Sequence, residues 1–264
     1  MAKESIATSK TVVKSYETDF QGKWKPSCFF LAMQEAATGH ATRLGFGHHE
    51  MLDKDMIWLL ARSKIRFDRI PSFGEHIKIE TWPKGIQQKI FFMRDFIFFD
   101  IEDKQIAAAS SAWVLVNLTD RRILKPEENL PSVLPDIEDK HALNEQLTKI
   151  NVSAGLTEQF AVEARYSDTD IMAHVNNTRY IEWAMNCFSF EFFRSNRPDW
   201  IQINFAHEVK PFERVSIASG QPVGDPAVWI LQGTNLSTGM RAFEVAIGWS
   251  KKDRDDDIPP HDKK

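Results

Sequence analysis

Hydrophobic and polar positions along the chain form one succession of elements and then repeat it. Residues 11–17 (Thr-Val-Val-Lys-Ser-Tyr-Glu) alternate roughly and predict a first strand. Pro26-Ser27 suits the opening of a helix, and Phe29, Phe30, Met33, Ala36 and Ala37 recur at three- and four-residue steps as far as Gly45. Gly45-Phe-Gly-His-His-Glu predicts a solvated loop. Its adjacent His48, His49 and Glu50 lack a third ligand at helical spacing and give no metal pattern. Strand-like runs follow at 57–70, 76–82, 89–99, 105–117 and, more weakly, 121–124. Turn signals at Pro71-Ser-Phe-Gly, Pro83-Lys-Gly, 100–104 and Thr119-Asp separate them. A helix followed by long antiparallel strands predicts a sheet wrapped around that helix, an α+β layer pair.

The texture changes between 126 and 151, where proline and charge dominate, and this marks a connector over 131–155. The first order of elements then recurs. A strand over 160–166 precedes a helix beginning at Asn177 with an apolar side at Tyr180, Ile181, Ala184, Cys187 and Phe188. Strands are expected at 200–209, 215–220, 228–236 and 241–250, and the tail 251–264 is too polar to pack. Tyr16-Glu-Thr-Asp19 echoes Tyr166-Ser-Asp-Thr-Asp170, each about ten residues before the body of a helix. Placing Asp19 on Asp170 sets Lys23 on His174 and Lys25-Pro26 on Asn176-Asn177. The expected organisation is therefore a first module over 1–130 that shapes a binding pocket and a second over 156–250 that carries chemistry.

Composition changes this picture little. Of 264 residues, 42% are hydrophobic and 27% charged, ordinary for a chain that builds a real core. A net charge of −4 gives no basic field for nucleic acid. Cys28 and Cys187 make neither a disulfide framework nor a CxxC metal pattern. The N-terminus has no apolar signal core and no run is long enough to span a bilayer, so a cytoplasmic protein with no membrane attachment is expected. Nothing calls for a cofactor or a metal.

The densest chemistry lies over 165–183, where Asp168, Asp170, His174, Asn176 and Asn177 precede the second helix. Both asparagines are good N-cap residues, and a helix N-terminus offers unpaired N–H donors and the positive end of the dipole. A histidine, a carboxylate and free donors at one point can activate water and hold an oxyanion, with the donors expected at the Val175, Asn176 and Asn177 backbone. A loop that merely caps a core helix would explain the asparagines, but not His174 or the doubled aspartate. Cys187 reads as an inert apolar-side thiol. Alternation of Ile201, Ile203 and Phe205 sends Glu208 to the opposite strand face unless a bulge intervenes, and His207 reads as a hydrogen-bonded core or rim residue.

Asp-Thr-Asp-Ile-Met-Ala-His-Val-Asn-Asn-Thr-Arg-Tyr-Ile-Glu-Trp resembles the motif of the fatty acyl-ACP thioesterases of plants and bacteria, and the resemblance extends over about residues 10–250. Trp58–Glu75 and Ser110–Ile123 are similar to that family's first-half strand and turn and to its helix-packing strand. The resemblance implies a tandem (double) hot-dog, each half an antiparallel sheet around a long central helix. It also implies hydrolysis of fatty acyl-ACP thioesters without a cofactor, with acyl carrier protein as partner. Catalytic roles carry over to Asp170, His174 and Glu208. Plant members place asparagine where Met172 stands and cysteine where Val209 stands, which disfavours a thiol nucleophile and points to direct water attack. A non-hydrolytic acyl-thioester binder, an acyl-CoA thioesterase and, more remotely, a hot-dog dehydratase are the alternatives. A homodimer is compatible with the sequence. Arg62, Lys64 and Arg66 share one strand parity and form a candidate stripe for docking an acidic carrier.

Overall fold

Pro26 at the first turn and Gly45 in the left-handed conformation (φ 84°) fix the ends of the longest helix, α1 (Pro26–Leu44). Its apolar stripe is the one expected: Phe29, Phe30, Met33, Ala36, Ala37 and Leu44 are buried. The computed structural model describes residues 5–130, 137, 139–152 and 155–252. The chain divides into two compact units, Met1–Thr148 and Lys149–Lys264.

In the first unit α1 follows β1 (Ala7–Val12) and precedes α2 (His48–Leu52), β2 (Met56–Phe67), β3 (His76–Gln87), β4 (Phe91–Phe99), β5 (Gln105–Asn117), β6 (Ile123–Leu124) and α3 (Pro126–Asn129). The strands are antiparallel in the order β1-β3-β4-β5-β2, with β6 on β5. Phe29 of α1 meets the rings of Phe67 and Phe98 edge-on, at 5.0 and 5.2 Å between centroids. Ala107 and Ala109 on β5 are fully buried beside them and let the helix approach the sheet. Burial of this apolar face drives the layer pair together.

Three local expectations are corrected here. The first strand ends at Val12, and Ser15–Glu17 is a single 3-10 turn in which Tyr16 is exposed. The loop expected over 45–50 instead winds into α2 from His48. Pro83 does not end a strand: β3 continues to Gln87 through a bulge, and the hairpin turns at Gln88 and Lys89, both left-handed. β1 pairs β3 only as far as Thr81, so Pro83, with no N–H to give, sits beyond the reach of that neighbour.

Of the connector expected over 131–155, residues 131–136, 138 and 153–154 lie outside the described residues. Residues 140–147 are strapped across the outer face of the first sheet. Trp82 donates its indole N–H to the Lys140 carbonyl (2.9 Å), and the Ala142 N–H donates to the carboxylate of Asp95 (2.7 Å), itself fully buried. Lys84 pairs with Asp95 (2.9 Å) and also donates to the Leu143 carbonyl (3.1 Å). The basic stripe is bound here too, which corrects its reading as a carrier-docking face. Arg62 donates to the Leu147 carbonyl (2.8 Å), and Lys64 and Arg66 both pair with Glu145 at 2.7 Å. Three cations on one strand face need neutralising, and the strap supplies the acceptors.

The second unit repeats the plan with β7 (Thr157–Glu163), α4 (Asn177–Met185), α5 (Phe190–Ser195), β8 (Asn196–Phe205), β9 (Arg214–Gly220), β10 (Val228–Asn235) and β11 (Arg241–Lys251). Its antiparallel order is β8-β11-β10-β9-β7. Here the helix is shorter than its periodicity suggests. It stops at Met185, and Cys187 and Phe188 lie in the turn before Ser189, whose side chain accepts the Phe192 N–H and starts α5. Phe188 is nevertheless buried, edge-on to Trp229 and Trp249 at 5.3 and 4.8 Å. Each unit is thus a hot-dog layer pair, and the chain is a tandem hot-dog. Of the expected tail, residues 253–264 lie outside the described residues. No helix among the described residues is long and apolar enough to cross a membrane.

The strap carries a measurable stability contribution. Lys84→Met leaves the Asp95 carboxylate buried without its cation, so denaturant unfolding of the full chain should show a loss of about 3–5 kcal/mol. A loss near zero would mean that the Ser110 hydroxyl, which donates to the Asp95 carboxylate, and the Ala142 N–H suffice to hold the charge.

Candidate active site

Between β7 and α4 the chain makes a 3-10 turn at Tyr166–Asp168 and then a tight loop to the helix. The Asp170 carboxylate braces that loop: Oδ1 accepts the Met172 N–H (3.0 Å) and Oδ2 accepts the Asn176 side-chain amide (3.3 Å). The Asp170 N–H donates to the His174 carbonyl (3.0 Å), and the Ala173 N–H donates back to Asp170 (2.9 Å). Ala173 takes the left-handed conformation (φ 57°) that closes this turn. Asn176 is the N-cap of α4, with Oδ1 accepting both the N–H and the hydroxyl of Thr178 (3.0 and 2.8 Å). Arg179, in the first turn of the helix, donates to the Ser167 carbonyl (2.6 Å) and ties the helix back to the 3-10 turn.

A second segment comes to this loop from the end of β8. The N–H groups of Ala206 and His207 both donate to the Ala242 carbonyl (2.9 and 3.2 Å), which is the bulge needed to break the strand's alternation. Past it, Glu208 turns toward the loop, and its carboxylate lies 3.4 Å from Nε2 of His174. Both side chains are partly exposed, 24% for His174 and 31% for Glu208, so the pair opens to solvent. The Val175 N–H donates to the Val209 carbonyl (2.9 Å) and holds the two segments together. His207 is exposed on the rim, with Nδ1 2.8 Å from the Arg241 carbonyl oxygen.

Of the residues singled out in the sequence, His174 and Glu208 are in contact. Asp170 is beside them as the brace of the loop. The oxyanion donors expected at Val175 and Asn176 need correction. The Val175 N–H is spent on Val209, and the Asn176 N–H donates to the Asp168 carbonyl (2.8 Å), because a loop this tight must pair its own donors. The Asn177 N–H, at the first position of α4, carries no hydrogen bond among the described residues. Cys187 lies past the C-terminal end of α4, at the opposite end of the helix from the Asn176 cap, and burial pushes its thiol up to about 12.

Tyr180 is the residue that pattern reading left in the core alone. Its ring stacks on Phe243 (4.9 Å, 20° between planes), while its hydroxyl meets the Val209 backbone. Burial raises the phenol well above its ordinary range. The nearby carboxylates of Glu208, Asp170 and Glu213 raise it further, against the Val209 contact, so it stays a neutral hydroxyl under the site. A polar tip on an otherwise apolar helix stripe was the available signal.

The first unit keeps the same frame with different chemistry. The Asp19 carboxylate accepts the Gln21 and Lys23 N–H groups (2.8 and 3.0 Å), and Gly22 holds the left-handed position (φ 72°). The Trp24 N–H donates to the Pro71 carbonyl (2.8 Å), as Val175 does to Val209. The Asp68 and Arg69 N–H groups both donate to the Ile106 carbonyl (2.9 and 3.2 Å), repeating the bulge. Lys23 stands where His174 does and donates to the Ser72 hydroxyl (3.2 Å), and Ile70 stands where Glu208 does. A histidine–carboxylate pair therefore forms in the second unit and has no counterpart at the equivalent positions of the first.

An acyl-ACP thioesterase N-terminal domain model matches residues 4–133 and the corresponding C-terminal domain model residues 152–251. The chain is 26% identical over 226 residues to the chloroplastic acyl-[acyl-carrier-protein] hydrolase FATB3 of Cuphea viscosissima, covering 81% of this chain and 54% of that one. It is 28% identical over 208 residues to the chloroplastic dodecanoyl-[acyl-carrier-protein] hydrolase of Cinnamomum camphora, covering 74% and 54%. It thus spans about half the length of these curated relatives. Among solved structures, an acyl-ACP thioesterase from Bacteroides thetaiotaomicron superposes with a TM-score of 0.85 at 23% identity, covering 93% of this chain and 98% of that one. With one domain model on each half and the same layer pair in each unit, the chain belongs to the acyl-ACP thioesterase family.

Proposed function

We propose that this chain hydrolyses fatty acyl thioesters of acyl carrier protein, releasing a free fatty acid and the carrier thiol, and that the second unit carries the chemistry. The observation that carries this reading is the 3.4 Å approach of His174 to Glu208 at an open position beside the N-terminus of α4. In the reaction, a water oxygen attacks the thioester carbonyl carbon while the His174–Glu208 pair takes its proton. The oxyanion is held by the Asn177 N–H at the positive end of the α4 dipole, with the Asn177 side chain as a second donor. When the C–S bond breaks, the proton passes to the departing thiolate sulfur. Asp170 acts through the loop it braces, setting the height of His174. The first unit, with Lys23 and Ile70 at the equivalent positions, shapes the acyl site (module 1–130), and the second (156–250) supplies the catalytic groups.

Met172 supports a second reading, a binder that keeps the site frame and has lost turnover. Its N–H caps Asp170, while its side chain offers no polar group where plant members carry asparagine. Incubation with palmitoyl-ACP and with palmitoyl-CoA, followed by thiol release, separates the readings. Thiol from the carrier substrate supports hydrolysis of acyl-ACP, thiol from CoA alone makes the chain an acyl-CoA thioesterase, and binding without release makes it a binder.

Four further outcomes are expected. His174→Ala and Glu208→Gln should each lower kcat by about two to four orders of magnitude, the size of a positioned acid/base contribution. Asp170→Asn should cost less in kcat and show instead as a drop of about 1 kcal/mol in unfolding free energy, because one carboxylate hydrogen bond of the brace is lost. A fully active His174→Ala chain would remove the site. Met172→Asn should change kcat only modestly in a hydrolase, whereas appearance of turnover in an otherwise inert chain would favour the binder. Finally, Cys187 should resist alkylation at pH 8. Against a thiol of pKa 9.0, one pushed up to about 12 has about a thousandfold less thiolate. Mass spectrometry of the alkylated chain reads this directly, and rapid modification that abolishes hydrolysis would reinstate a thiol mechanism.

A further inference from the structure

We propose that the face of the first sheet beneath α1 holds a polar subsite, centred on Arg94, for an oxygen atom carried along the acyl chain itself. This rests on the reading above that an acyl chain occupies the first unit. Arg94 lies opposite Pro83 on β3 and Ser111 on β5, and Ser111 lies opposite Ser63 on β2. Residues 94, 96 and 98 share one strand parity, and Phe96 and Phe98 are fully buried. The approach of Arg94 Nη1 to Nδ1 of His40, at 3.0 Å, fixes this as the face turned to α1. The same nitrogen donates to the Thr81 hydroxyl (3.2 Å), which in turn donates to the Asp95 carbonyl (2.9 Å).

The setting is unusual for a cation. His40 is 0% exposed and Ser63 and Ser111 are each 1% exposed. Among the described residues no carboxylate lies within ion-pair distance of Arg94. Asp95, the next residue, faces the other side of the sheet and is bound to Lys84. Burial pulls the Arg94 guanidinium down to about 10, which still leaves it charged at neutral pH. Arg94 nevertheless retains accessible surface, as do Trp58, Leu60, Phe92 and Trp113. Arg94 is thus strongly desolvated and yet still accessible, on the sheet face turned to α1.

A guanidinium has five N–H donors, and among the described residues hydrogen-bond partners fall to Nη1 alone. A plain polymethylene chain laid against the others would strip their water and return nothing. A hydroxyl or oxo oxygen at the matching position on the chain accepts from them and restores the lost bonding. The subsite therefore selects oxygenated acyl chains over saturated ones of equal length.

The experiment uses the full chain carrying His174→Ala, so that the probe is not consumed, and measures binding of palmitoyl-ACP against ACP charged with hydroxyhexadecanoyl chains bearing the hydroxyl at successive positions. One hydroxyl position should bind about tenfold tighter than the plain chain, the size of a hydrogen bond to a charged group. Arg94→Met should abolish that advantage and tighten the plain chain. Thr81→Val, which removes one of the two Nη1 partners without removing the cation, should keep the advantage and covers the case in which Arg94→Met does not fold. Equal binding at every position, or an advantage unchanged in Arg94→Met, overturns the subsite alone. Failure of every acyl-ACP to bind overturns the acyl-ACP reading on which it rests.

Discussion

The hydrogen bond from the Val175 N–H to the Val209 carbonyl (2.9 Å) is the contact on which the site depends. His174 belongs to a loop and Glu208 to the end of a strand, more than thirty residues apart in sequence. Neither side chain can find the other unless the two backbones are held in register, since a misplacement of about 1 Å is enough to cost a catalytic contact most of its effect. One backbone bond does this from the middle, with His174 and Glu208 each one residue before its two ends. Tyr180 supports it from below, its hydroxyl on Val209 and its ring on Phe243. The same bond explains why Val175 cannot serve as an oxyanion donor, since its N–H is already committed to holding the site together.

The first unit shows what this frame is worth without its reactive groups. Trp24 and Pro71 form the equivalent bond, Asp19 the equivalent brace, and Gly22 occupies the left-handed position that Ala173 fills in the second unit. These are backbone requirements of turning from a strand into a buried helix, so they persist wherever the fold does. Lys23 and Ile70 are side-chain choices on that backbone. The aspartate is thus common to both units because it builds the loop, and histidine with glutamate marks the unit equipped for acid/base work.

Much of this was legible in the sequence because it rests on periodicity and short-range capping. The limits of α1, the extent of β5 and the alignment of Asp19 with Asp170 follow from the spacing of apolar residues and from turn-forming types. What escaped depended on partners distant in the chain. The side of the strand that Glu208 occupies is decided by a bulge formed against Ala242, and nothing at 206–208 announces it. The basic parity of Arg62, Lys64 and Arg66 read as a docking stripe because Glu145 and the Leu147 carbonyl, some eighty residues later, are invisible to a local pattern. Tyr16 was taken into a strand by the rough alternation over 11–17, although the local turn chemistry of Ser15–Glu17 prevails there. The second helix was drawn too long because Cys187 and Phe188 keep helical spacing while sitting in a turn that buries them another way.

The strap across the first sheet has a consequence for how the molecule is made. Asp95 and Lys84 are translated about fifty residues before the Ala142 N–H and Leu143 carbonyl that complete their shell. While the chain emerges from the ribosome at about 5–20 residues per second, the outer sheet face spends several seconds with its charges and the Trp82 indole uncovered. The first unit reaches its native form only after the connector has been synthesised, so the boundary between two copies of a module in the sequence is not the boundary at which the nascent chain can fold. A stall or a premature stop just past residue 130 would strand the half-finished sheet in the state most open to chaperones and to aggregation.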